Sequence, residues 1–203
     1  MKKLILAFIL INSILIAKFN QEEFDKKNFY PSIKLGITLS KITDSAQDNL
    51  NSKFGFEVGS SFIYKINTIV YLQTEFLFTQ KGYLITNESS SDYHYTLNYL
   101  QIPLLSSFKL GKNINLYAGG YISYFINSWI SASNVNSSEL TKEEDLLEAD
   151  INNIDLGGAL GFIIRSKNIL FDLRFERGFK KINKTSNLDK MNQSFKLSVA
   201  WIF

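Results

Sequence analysis

Ile33-Lys34-Leu35-Gly36-Ile37-Thr38-Leu39-Ser40 alternates large aliphatic residues with small or polar ones without a break. A period of two places Ile33, Leu35, Ile37 and Leu39 on one face of an extended strand and Lys34, Gly36, Thr38 and Ser40 on the other. The same alternation recurs along the chain. Phe54, Phe56, Val58, Phe62 and Tyr64 oppose Gly55, Glu57, Gly59, Ser61 and Lys65, and Val70, Leu72, Phe76 and Phe78 oppose Tyr71, Gln73, Glu75, Thr79 and Lys81. Leu100, Ile102, Leu104 and Phe108 oppose Gln101, Pro103, Ser107 and Lys109, while Leu116, Ala118, Ile122, Tyr124 and Ile126 oppose Tyr117, Gly119, Tyr121, Ser123 and Asn127. Ile154, Leu156, Leu160, Phe162 and Ile164 face away from Asp155, Gly157, Ala159, Gly161 and Arg165. Ile169, Phe171, Leu173 and Phe175 face away from Asp172, Arg174 and Glu176. Phe195, Leu197, Val199, Trp201 and Phe203 close the series against Ser194, Lys196, Ser198 and Ala200.

These eight segments reach the 9 to 11 or so residues that a tilted strand needs to cross a bilayer. Three connections are short, at about 66–68, 111–113 and 166–168, and four are long and polar, at 41–53, 83–97, 128–152 and 179–191. Antiparallel neighbours alternate direction, so all short turns fall at one end and all long loops at the other. The expected fold is all-β: an eight-stranded antiparallel up-and-down transmembrane β-barrel with short periplasmic turns and long extracellular loops.

A soluble up-and-down barrel such as a lipocalin shares the period but crowds its aliphatic face inward. Here the polar face is also small, with Gly36, Gly55, Gly59, Gly119, Gly157 and Gly161, which suits a narrow lumen. The other face carries large groups and almost no charge. Tyr64, Phe108, Phe171, Trp201 and Phe203 at the turn side, with Phe54, Phe78 and Tyr124 at the loop side, are expected to form interfacial girdles.

Composition narrows the function. The 203 residues are 45% hydrophobic with 17 Phe, 10 Tyr and 2 Trp, yet mean hydropathy is −0.03. Without cysteine, disulfide frameworks and Cys-ligated metal centres are excluded, and one histidine, His94, excludes a multi-histidine site. Residues 1–17 read as a secretory signal peptide: Lys2 and Lys3, an apolar stretch from Leu4 to Ile16, then Ala17. Its removal takes the formal charge from +3 to +1, and no basic cluster supports a nucleic-acid partner. Residues 18–29 are then a periplasmic N-terminal segment and 30–203 the barrel. The alternating residues Phe195, Leu197, Val199, Trp201 and Phe203 resemble the terminal signal that bacterial barrels present to their assembly machinery.

The segments 33–40, Phe78-Thr79-Gln80-Lys81-Gly82, Tyr99-Leu100-Gln101-Ile102-Pro103-Leu104-Leu105, Ala118-Gly119-Gly120-Tyr121-Ile122-Ser123-Tyr124 and Arg174-Phe175-Glu176-Arg177-Gly178-Phe179 resemble the PorT-type outer-membrane β-barrel domain. Two departures are Gln101, where that family often carries Glu, and Thr38, where Asn is common. The resemblance implies an outer-membrane barrel and, for one branch, a role in protein secretion.

Lys34, Glu57, Glu75, Asp155, Asp172, Arg174, Glu176 and Lys196 fall on the inward face and are expected to pair as a lumenal charge network, with Glu75 and Arg174 in direct contact. Such a network either plugs the barrel or lines a narrow conduction path. His94 follows Ser89-Ser90-Ser91-Asp92-Tyr93 in what reads as one loop, with nothing to orient a nucleophile toward it. Thr141-Lys142-Glu143-Glu144 is a capping-box pattern that predicts a short acidic helix inside the 128–152 connection. No catalytic residue, metal site or cofactor is expected. The expected function is a non-enzymatic structural or interaction barrel, an accessory of secretion or surface assembly. Its partners are outer-membrane lipid, the barrel assembly machinery and proteins met by the long loops. The competing reading is a small enzyme or narrow pore on the same barrel.

Overall fold

The computed structural model describes residues 28–43, 50–85, 93–132, 150–183 and 191–203. Eight strands form one sheet: β1 (Phe29–Thr43), β2 (Leu50–Lys65), β3 (Val70–Ile85), β4 (Tyr93–Lys109), β5 (Ile114–Ala132), β6 (Ile154–Ser166), β7 (Ile169–Gly178) and β8 (Met191–Ile202). Each pairs antiparallel with its sequence neighbours, and β1 closes on β8 from Ser32↔Ile202 to Thr43↔Met191. Closure leaves no unpaired edge, which is what a strand structure in hydrocarbon requires.

Local chemistry sets the turn end. The connections are 66–69, 110–113 and 167–168. Asn67 Oδ1 accepts from the backbone N–H of Ile69 (2.8 Å) and Val70 (2.7 Å), folding the first turn around its side chain. Lys167 takes a φ of 53° to close the two-residue turn. Within β4, Pro103 lacks an N–H, and the β3–β4 pairing skips Glu75 and Phe76 beside it.

The strands run further toward the loop end than the alternation predicts. Residues 83–85 and 93–97, expected in a loop, continue β3 and β4, and β5 extends through Ser128 to Ala132. His94 is therefore a strand residue, paired with Leu84 and Ser131. Two irregularities hide these extensions from a period-two reading. A register shift at Asn98/Tyr99 pairs Tyr99 with Phe125 and Asn98 with Asn127, so beyond Ile126 the parity of β5 reverses. As a result Ser128 and Ile130 are buried, while Trp129 is exposed. In β3, Gly82 has φ +154° and lies so close to the Tyr95 carbonyl that a Cβ would collide with it. The barrel also begins one residue early, at Phe29. The N-terminal residues 1–27, the helix predicted at 141–148 and Ser89 to Asp92 lie outside the described residues.

The two faces are inverted relative to a water-soluble protein. Leu35, Ile37, Leu104, Leu160, Phe195 and Leu197 are each more than half exposed, whereas Lys34, Glu57, Glu75, Arg174, Glu176 and Lys196 are buried. An apolar surface of this extent excludes the soluble barrel, whose aliphatic face would be inside. The aromatics are spread more widely than two girdles. Tyr64, Phe108, Phe171 and Trp201 do ring the turn side, but Phe56–Phe78, Phe62–Phe76 and Phe175–Phe195 pair across strands within the belt.

Candidate functional site

The lumen is filled in three layers. At the turn end Ile63, Leu105, Tyr117, Tyr121, Ala159, Ile163, Leu170, Ala200 and Ile202 pack together, flanked by Tyr30 and Tyr71. At the loop end Ile42, Tyr83, Leu97, Tyr99, Phe125, Ile151 and Ile182 form a second apolar layer with Tyr95 against it. Ile151 and Ile182 come from outside the strands. The Ile151↔Asn183 bridge and the Asn152 N–H to Ile182 carbonyl bond (2.7 Å) hold those segments over the mouth.

Between the layers lie the charges. Arg174 grips Glu75 with two parallel bonds of 2.8 Å, donates to Asp172 Oδ2 at 3.0 Å, and gives its Nε–H to the Tyr117 hydroxyl at 2.8 Å. The Tyr117 hydroxyl in turn donates a hydrogen bond to Asp172 Oδ1. Lys34 Nζ sits among Asp172, Glu75 (3.2 Å) and Glu57 (3.5 Å). Lys196 bridges Glu57 (3.1 Å) and Glu176 (3.0 Å), and Ser198 donates to Glu57. Toward the loop end Lys81 contacts Asp155 (3.4 Å) and Glu176 (3.8 Å) and lies over the Tyr121 ring at 4.3 Å. Gln101 donates to Glu176 at 2.7 Å, which brings β4 in, so every strand contributes a member.

Small residues make room for this cluster. A Cβ on Gly161 would strike the Tyr117 ring and the Leu173 carbonyl, and one on Gly157 would strike Tyr121. Glycine on β6 thus lets two β5 tyrosines lie across the lumen and reach Asp172 and Asp155. Dehydrated ions of both signs are tolerable only because each finds opposite charge and hydrogen bonds. Bidentate geometry makes the Arg174–Glu75 pair the strongest of these contacts.

All eight inward ions expected from the sequence lie in this middle layer, and Glu75 and Arg174 touch. Sequence reading left out Lys81, although its inward parity could have found it. It also left out the neutral members Gln73, Gln101, Tyr117, Tyr121 and Asn192, for which parity is the only signal. It missed the apolar layers, because Ile63, Ile163 and Leu170 on the inward parity look like outward residues. Gln101 explains one departure from the resembled family: a carboxylate there would face Glu176 and raise five lumenal acids to six against four cations. Among the described residues no hydroxyl or carboxylate is bonded to His94, which is exposed. Phe195, Leu197, Val199 and Trp201 form an outward row on β8, in contact with the lipid-facing belt.

A family profile described as outer membrane protein beta-barrel domain matches residues 19–184. The chain belongs to that family. It is an outer-membrane β-barrel, and its apolar belt is the surface that meets lipid. Among solved structures it is similar to Neisserial surface protein A, with TM-score 0.52 and 16% identity over 85% of this chain and 97% of that one. It is also similar to Ail, the attachment invasion locus protein of Yersinia pestis, with TM-score 0.48 and 15% identity over 86% and 98%. For the E. coli outer membrane protein W the values are 0.42 and 13% over 87% and 99%. No curated protein matches the chain.

Proposed function

We propose that this family member is a non-enzymatic barrel whose work is done at its loop end, as a membrane-anchored interaction module. Its role is that of an accessory to secretion or surface assembly, as the PorT-type resemblance implies. The observation that carries this reading is the filled lumen: an ion cluster spanning all eight strands, capped at both ends by apolar side chains, leaves the interior as structure rather than conduit. What varies freely on such a scaffold is the set of long connections, and recognition is concentrated on loops held by a rigid frame. The 133–153 connection, rich in Glu and Asp, is the foremost contact surface. Delivery requires export through the signal peptide at 1–17 and recognition of the β8 outward row by the assembly machinery.

Cross-linking in intact outer membranes tests this, comparing the full chain with a variant lacking residues 134–148. The deletion variant is expected to retain heat-modifiable gel mobility, the mark of an assembled barrel, and to lose its partner cross-links. Unchanged cross-links would move the contact surface elsewhere. Lipid or peptide hydrolysis by the purified barrel that His94→Ala abolished would replace this reading with the enzyme.

A further inference from the structure

The turn end carries basic side chains that no acidic side chain described there balances. Its connections and flanking strand ends hold Lys65, Lys109, Lys112, Arg165 and Lys167 and no acidic residue. The first carboxylates further in, Glu75 and Asp172, are already engaged by Lys34 and Arg174. Three of the five cations, Lys109, Lys112 and Arg165, line one open cavity of about 80 Å³, together with Tyr30, Tyr71 and Asn113. Its floor belongs to the apolar turn-end layer, which separates it from the lumenal acids.

Arg165 is already oriented. Its guanidinium lies 5.3 Å from the centre of the Tyr30 ring, and its Nε–H donates to the Lys167 carbonyl at 3.2 Å. None of the described ion pairs involves Arg165, Lys109 or Lys112. The two terminal guanidinium nitrogens therefore remain available as a planar fork, the geometry that matches two oxygens of a phosphate or carboxylate. Two lysine point charges beside that fork favour a ligand with more than one negative charge, and so phosphate over a single carboxylate. One water needs only about 10–15 Å³ of such cavity space, so the cavity, open to solvent, has room for a tetrahedral oxyanion. Lys109 and Arg165 share the inward parity of Ser107 and Ile163, so their heads gather at the barrel axis and not over the lipid-facing belt. That placement faces the aqueous compartment.

We infer that the turn-end mouth is a binding site for the phosphate group of a water-soluble ligand, gripped by Arg165 and flanked by Lys109 and Lys112. It is independent of the loop-end surface proposed above.

The test uses the full barrel in octylglucoside micelles titrated calorimetrically with pyrophosphate at low ionic strength. Saturable one-site binding is expected, weakened about tenfold or more in Lys109→Gln/Lys112→Gln/Arg165→Gln and unchanged in the loop-end control Lys180→Gln/Lys181→Gln. Heat-modifiable mobility checks that each variant is folded. Should Lys109→Gln/Lys112→Gln/Arg165→Gln fail to fold, the single substitution Lys112→Gln, in an exposed turn, keeps the test open, with about threefold weakening expected. Absence of saturable binding, or equal weakening in the loop-end control, would overturn the site. A second arm measures phosphatidylglycerol retained by the barrel in native mass spectrometry. Equal retention by wild type and triple variant is expected. Loss of lipid by the triple variant, with no pyrophosphate binding by wild type, would assign these cations to lipid headgroups and defeat the inference.

Discussion

Lys196 and Leu197 are consecutive residues of β8, yet Lys196 is 1% exposed and Leu197 is 51% exposed. Leu104 and Leu105 in β4 differ in the same way, at 58% and 0%. The outer face meets a fluid solvent that adapts to any apolar shape. The inner face meets fixed partners: the lumenal ions bond to particular oxygens and nitrogens, and Tyr117 and Tyr121 lie in slots left by glycines. One backbone therefore carries two sets of rules: outside, only polarity matters, and inside, position matters as well.

The sharpest way to break that contrast is to remove the central cation. Arg174→Met deletes the grip on Glu75 and leaves two carboxylates buried beside Lys34 alone, so unfolding in urea should show a loss of about 3–5 kcal/mol. An unchanged midpoint would mean that the ions do not act as a unit. On the outer face the equivalent injury is to polarity: Leu197→Arg, placed mid-strand, should cost about 2–4 kcal/mol in a bilayer. Shape then separates the faces. Leu105→Phe overpacks the turn-end layer and should cost about 1–3 kcal/mol. The same change one residue away, Leu104→Phe, should shift the same unfolding midpoint by no more than about 0.5 kcal/mol. Equal costs for the two leucines would erase the distinction.

Much of this was legible because a strand's period is two and each face has one composition: strand number, order, the lipid face and the eight inward ions all follow from alternation. What escaped has physical causes. The register shift at Asn98/Tyr99 reverses parity, and Gly82 marks a distorted approach to Tyr95, so β3, β4 and β5 looked shorter than they are. Aliphatics on the inward parity, such as Ile63, Ile163 and Leu170, are indistinguishable in sequence from lipid-facing ones until closure brings them together. The three-dimensional fit of Tyr117 over Gly161 leaves no local trace, since neither residue names its partner. The basic mouth was likewise dispersed over three separate turns.

Two apolar layers with the ion cluster between them seal the interior as a plug. Conductance of the purified wild-type barrel in planar lipid bilayers tests that seal most directly. The filled lumen predicts a barrel that inserts without discrete current steps across the usual range of voltage. Regular unitary steps from the wild-type protein would contradict it.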